Sequence, residues 1–164
     1  MELKSRYDEI ERFEARRDQE DPLVMYLIVR ESLGMSAGKI GAQCGHAVGK
    51  LYDYFNGLDS EYRADCSSIC WASVSNYVDI RGPEWEEKFR MREAFDFWKE
   101  DSFRKVVLKA KDSKWEKLKE ELTCVVVRDA GLTEVASGSE TVIGVWPLRR
   151  SECPNIIKKL QTLK

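Results

Sequence analysis

Seven consecutive apolar residues, Leu23-Val24-Met25-Tyr26-Leu27-Ile28-Val29, run without alternation, and Gly34, Ser36 and Gly38 follow close behind. A strand with one wet face alternates apolar and polar residues, whereas a strand covered on both faces does not. Spanning a bilayer takes roughly 20 residues, so the run is too short for that. It predicts a central strand with helices above and below it. Ile40, Cys44, Ala47, Val48, Leu51 and Phe55 then recur at helical spacing, which predicts a helix through about Phe55. A strand, a small-residue turn and a helix in that order announce an α/β fold.

Three further strands are predicted at Lys105 to Lys109, Cys124 to Val127 and Thr141 to Trp146, the last ended by Pro147. Between the first two, Ser113 with Glu116 three residues on reads as a capping box, for a helix that turns Trp115, Leu118 and Leu122 inward. Pro154 is expected to open a final helix burying Ile157, Leu160 and Leu163, and Pro83 one that runs to about Lys99, since proline suits a first helical turn. Residues 56–83, with Trp71, Val74, Tyr77 and Ile80 among serines, read as a loop with a short strand. At the other end Leu3, Tyr7, Ile10 and Phe13 form one stripe of an amphipathic helix that Pro22 stops.

The 164 residues suit one domain. Five cysteines, an odd number with no CxxC pair, argue against a disulfide framework. A single histidine leaves a zinc site short of ligands, so no metal is expected. Residues 1–4 lack the apolar stretch of a signal peptide, which points to a cytoplasmic protein with no membrane attachment. Net charge is −2, yet residues 22–57 and 104–164 together carry +6 and the remainder −8. If the acidic pieces are peripheral, the remaining body suits a phosphate backbone.

Two segments carry candidate chemistry. Gly34-Met35-Ser36-Ala37-Gly38-Lys39 lies between strand and helix, but a P-loop needs one more residue and a hydroxyl where Ile40 stands, which disfavours a nucleotide triphosphatase. What remains is a helix N-terminus with unpaired N–H groups and a lysine in its first turn: an anion site or a solvated lysine. Lys39, Gln43, His46 and Lys50 fall at i, i+4, i+7 and i+11 and share one stripe. Cys44 and His46 project about 200° apart on a helix, against a Cys–His nucleophile pair, and Cys44 reads as core. The second segment, Arg128 to Thr141, leaves the end of a buried strand, where α/β sheets place their sites, and offers Asp129 with several hydroxyls.

Taken together, YLIVR (26–30), MSAGKIGAQCGHA (35–47), KVVLKA (105–110) and VVVRDAGLTEVASGSETVIGVWP (125–147) resemble the type II peptidyl-tRNA hydrolase family of archaea and eukaryotes. The resemblance implies a three-layer α/β/α domain on a mixed four-stranded sheet over residues 22–164. An N-terminal helical extension (1–21) and an insertion at about 56–100 have no counterpart in the family. It also implies hydrolysis of the ester between a peptide and tRNA, with catalytic or substrate-contacting roles for Lys39, Asp129, Thr133 and Thr141 and no cofactor. Lys39 would hold the oxyanion, alone or with the helix N–H groups, and Asp129 would orient water. Gln43, His46, Lys50, Arg128 and Lys109 are candidates for contact with peptidyl-tRNA. A homodimer or protein partner would dock through the N-terminal helix or the insertion. The family usually has Arg, Gln and Pro where this chain has Leu132, Glu134 and Ser137, and a catalytically silent binding module is the alternative those departures favour.

Overall fold

The computed structural model describes residues 16–66 and 83–164, with side chains for residues 16–56 and 86–164. The apolar run forms β1 (Leu23–Arg30), and a one-turn 3₁₀ helix (Glu31–Leu33) leads into α1 (Ala37–Cys66). There follow α2 (Pro83–Glu100), β2 (Arg104–Ala110), α3 (Asp112–Glu121), β3 (Cys124–Arg128), β4 (Glu140–Arg149), α4 (Asn155–Lys158) and β5 (Gln161–Thr162). The sheet order is β3-β4-β1-β2-β5, with β1 and β2 parallel and the other pairs antiparallel.

β1 is central, as its pattern requires, and it divides its side chains between two cores. Met25, Leu27 and Val29 join Ala47, Leu51 and Phe55 of α1 and Met91, Phe95 and Trp98 of α2. Tyr26 and Ile28 join Trp115 and Leu118 of α3 and Ile157 of α4. Three layers result. α1 sits close to the sheet because Gly144 of β4 lies beneath it: a Cβ there would come within 2.9 Å of Val125 and 3.3 Å of both Ala47 and Leu51. Burial on this scale, at roughly 25 cal/mol per Å² of apolar surface, is what holds such layers together.

Several expectations need correction. The sheet has a fifth strand, two residues long, because the predicted final helix stops after Lys158. The Leu163 N–H instead donates to the Val107 carbonyl at 2.9 Å, drawing the chain onto the edge of β2, and Leu163 packs with the α1 side of the sheet. Pro147 does not end β4. It falls where the β1–β4 register shifts, between Val24 and Tyr26, and a bulge is a place where a strand tolerates a residue without an N–H. α1 continues ten residues past the expected loop boundary at 56, to Cys66. α3 starts at Asp112 with no side-chain cap, so the capping box is absent. Asp112 instead accepts hydrogen bonds from Arg30 and Ser32, both at 2.7 Å.

The acidic helix α2 is not peripheral. Phe95 stacks on Phe55 of α1 at 4.2 Å, and the Trp98 indole donates to the Arg104 carbonyl at 2.7 Å. Its charges lie on the outward side, as do Phe89 and Phe97. Residues 16–20 are helical and tie to the end of β4 and the turn after it, Asp18 to Arg149 at 2.5 Å and Arg17 to Glu152 at 2.7 Å. The Leu3–Phe13 stripe and the Trp71–Ile80 patch lie outside the described residues.

Candidate active site

Ser36 starts α1 as its N-cap, its hydroxyl oxygen accepting the Lys39 N–H at 3.3 Å, the third amide of the helix. Lys39 therefore leaves the first turn with a fixed root. Opposite it, the chain leaving β3 makes a compact loop closed at its neck, where the Asp129 N–H donates to the Ser139 carbonyl and the Gly138 N–H to the Asp129 carbonyl. Within the loop the Gly131 N–H donates to Asp129 Oδ1 at 2.7 Å, a tight turn with φ of 77° at Gly131. A Cβ at that glycine would lie 2.5 Å from the Ser137 nitrogen, so both conformation and space demand glycine.

These two elements bring Lys39 and Asp129 together, with Nζ 2.5 Å from Oδ2. Lys39 Nζ also donates to Thr133 Oγ1 at 2.7 Å. Gln43, one turn along α1, donates to Asp129 Oδ2 at 2.6 Å and accepts the Thr141 hydroxyl at 2.8 Å. The carboxylate accepts only, so this network fixes which way the Gln43 amide points. Asp129 is 7% exposed, and the Lys39 ammonium, followed by the Gly131 N–H, holds its carboxyl below the ordinary aspartate range. It stays charged at neutral pH.

Asp129 receives three of the roughly four hydrogen bonds a carboxylate accepts, which leaves a lone pair on Oδ1. An ammonium has three N–H groups, and two of those on Lys39 are engaged among the described residues. Thr133 accepts from Lys39 and keeps its own O–H. Among the described residues, one acceptor and two donors are thus uncommitted along one wall of a cleft of about 840 Å³. That cleft runs between the Lys39, Gln43, His46 and Lys50 stripe of α1 and the 127–134 segment, with Ala42, Gly45 and Gly49 as small residues along its floor. The α1 N–H groups are less free than the sequence implied. Lys39 N–H goes to Ser36, and Ser36 N–H donates to Glu134 Oε2 at 2.8 Å while its hydroxyl donates to Oε1 at 2.5 Å.

Other sequence-derived candidates lie differently. Thr141 is fully buried beneath Gln43 and outside the cleft lining, so it reaches Asp129 only through Gln43. His46 and Lys50 line the cleft and have no ion-pair or hydrogen-bond partner among the described residues. Arg128 lines it too, with one guanidinium nitrogen 2.6 Å from Glu140. Lys109 lies outside the cleft lining and is paired with Glu31 at 2.9 Å. Cys44 faces the core and burial pushes its thiol pKa up, which counts against a thiolate nucleophile there. The sequence reading did not assign Ser36 or Glu134 as partners. A serine three residues before Lys39 is a capping signal for the first of these, but no local signal pairs it with a residue 98 positions away.

The family model for peptidyl-tRNA hydrolase PTH2 matches residues 23–163. The chain is 30% identical to a probable peptidyl-tRNA hydrolase 2 of Schizosaccharomyces pombe over 123 residues, 75% of this chain and 47% of that protein. It is 29% identical to human mitochondrial peptidyl-tRNA hydrolase 2 over 129 residues, 75% of this chain and 54% of that one. It is 26% identical to the peptidyl-tRNA hydrolase of Methanocaldococcus jannaschii over 145 residues, 85% of this chain and 98% of that one. The chain thus spans about half the length of the fungal and human relatives and nearly all of the archaeal one. Matched from the start of β1 to the end of the sheet, the chain belongs to the peptidyl-tRNA hydrolase PTH2 family.

Proposed function

We propose that this protein hydrolyses the ester between a peptide and the 3′-terminal ribose of tRNA, releasing free tRNA and peptide for translation. The supporting observation is the set of uncommitted valences at one wall of the cleft: a third Lys39 N–H, the Thr133 O–H and a lone pair on Asp129. Water that donates one O–H to Asp129 Oδ1 and accepts the Thr133 O–H forms a bond from its oxygen to the ester carbonyl carbon, while Lys39 donates to the oxygen that becomes negative. The carbon–ribose oxygen bond then breaks, one water proton ends on the ribose hydroxyl, the other passes to bulk water, and the peptide leaves as its carboxylate. A carboxylate held below its ordinary pKa is a weak base, so Asp129 acts chiefly by orienting water. Gln43 and Thr141 hold Asp129 in place, and the reaction as written uses no metal or cofactor.

His46, Lys50 and Arg128 are the candidates for phosphate contact from the same cleft. Lys105, which sits 3.4 Å from the Phe103 ring centroid, and Arg149, paired with Asp18, are committed within the fold. Among the described residues no helix is long and apolar enough to cross a membrane. Free Cys44, Cys124 and Cys153 suit a reducing compartment. We place the protein in the cytoplasm, with mitochondria the competing outcome of a fractionation experiment, since the human relative is named mitochondrial. Self-association through the 1–21 segment is read by light scattering with and without that segment.

The deciding experiment incubates the protein with peptidyl-tRNA and follows free tRNA. Turnover by the parent that is lost in Lys39→Ala supports the reading. Binding of tRNA with no turnover by the parent leaves a silent binding module instead.

A further inference from the structure

Glu134 is not needed for the ester chemistry above, yet it makes two short hydrogen bonds to one residue on another element. Its carboxylate takes both the N–H and the hydroxyl of Ser36, at 2.8 and 2.5 Å. The loop from Asp129 to Ser139 is otherwise tied at its neck, by its internal turns and by Val135, which packs against the α1-side core but fixes no polar group toward α1. The contact from Lys39 to Thr133 comes from a flexible four-carbon stem and cannot position a backbone. Ser36 is different, because its N–H and capped hydroxyl are fixed by the start of α1. A carboxylate there is also favoured by the helix dipole. Glu134 follows Thr133 directly, so whatever holds it sets where the Thr133 hydroxyl meets Lys39.

We propose that Glu134 is a positioning residue for the hydrolysis: it latches the loop to the first turn of α1 and thereby holds Thr133 and Asp129 in register with Lys39. The proposal rests on the hydrolase reading given above. The latch has an electrostatic side effect, since its negative charge lies near Lys39 and faces a polyanionic substrate. Replacing the carboxylate by an amide keeps one acceptor for the Ser36 N–H while removing that charge. Latching and charge are therefore separable.

Steady-state kinetics on peptidyl-tRNA should give a kcat reduced about 10- to 100-fold in Glu134→Ala, the scale expected when reacting groups lose their alignment. Glu134→Gln should restore kcat to within about threefold of the parent and lower KM at low salt, the KM difference fading as salt rises. The double variant Ser36→Ala/Glu134→Ala should fall within about threefold of Glu134→Ala, because coupled residues are not additive. A multiplicative double variant, or Glu134→Gln as slow as Glu134→Ala, overturns the proposal. Amide exchange across residues 130–138 reads the latch without any turnover: faster exchange is expected in Glu134→Ala and parent-like exchange in Glu134→Gln. A parent without turnover sinks the hydrolase reading and with it the catalytic role, while unchanged exchange in Glu134→Ala shows the latch itself to be wrong. Faster exchange with unchanged kcat overturns the positioning role alone.

Discussion

Asp129 and Glu140 stand at the two ends of the β3–β4 connection, and at first sight they are the same kind of group. Both are almost fully buried, at 7% and 9% exposure, and both have three polar partners. Asp129 takes Lys39, Gln43 and the Gly131 N–H, while Glu140 takes the Trp115 indole at 2.8 Å, Lys119 at 2.8 Å and Arg128 at 2.6 Å. Cationic neighbours, first Lys39 and first Lys119 respectively, hold both carboxyls below their ordinary range. The difference lies in where the carboxylate itself stands. Asp129 lines an open cleft together with Lys39 and Gln43, whereas Glu140 is tied to the α3 layer by Trp115 and Lys119 and lies outside the cleft lining, which among its partners Arg128 alone reaches. A buried, charged carboxylate with three polar partners is therefore no mark of a site by itself; whether it opens onto a cleft decides the matter.

The sharpest way to break this contrast is Lys39→Ala, expected to lower kcat by about 10²–10³, the loss typical of removing one oxyanion donor. Equal loss of turnover in Glu140→Ala would erase the distinction. Asp129→Asn comes next, with kcat about 10- to 100-fold down, since the amide still occupies the position but cannot accept from Lys39 as a charge. Because Lys39 depresses the Asp129 pKa, its carboxylate stays charged from neutral pH down past the ordinary aspartate value of about 3.9. An acid limb in the pH–rate profile between about pH 5 and 7 that disappears in Asp129→Asn would contradict that assignment.

For Glu140→Ala the expectation is a stability loss of about 2 kcal/mol in denaturant titration, from orphaned donors in a half-buried network, with kcat within about threefold of the parent. The sign with pH follows from its lowered pKa. The contribution is complete above the ordinary glutamate value and vanishes as pH falls through the lowered one, so parent and variant should converge in acid. Smallest of all, Cys44→Ser should leave turnover unchanged, and alkylating reagents should not inhibit the parent at neutral pH. Inhibition by such a reagent that the substitution abolishes would restore a thiol role.

The contrast also shows what a single chain of letters reveals. β1 was legible because burial on both faces abolishes alternation, and the Lys39–Lys50 stripe because helical period is local. Asp129 stood out by its place after a buried strand. Glu140 did not, since its partners Trp115 and Lys119 are set by packing of α3 across the sheet. For the same reason the bulge that admits Pro147 was invisible: it depends on the register with β1, a strand more than a hundred residues earlier. Leu163 followed the helical period of Ile157 and Leu160, yet an edge hydrogen bond to Val107 outweighed two turns of marginal helix. The conformations of Gln43 and Thr141 are properties of a network that also holds Lys39, Asp129 and Thr133, and have no local signature.

The pairing of α1 with α2 carries one more consequence. Phe55 and Phe95 lock the two helices together on one face, and the Arg92 guanidinium donates to the Phe55 carbonyl at 2.7 Å. Any chain inserted between the helices is thus anchored at both ends by contacts that do not depend on its length. Doubling such a connection adds only about 0.6 kcal/mol of closure entropy. This junction is consequently a tolerant port in the architecture, where descendants of the gene could gain or shed sequence while the distance between Lys39 and Asp129 stayed as it is.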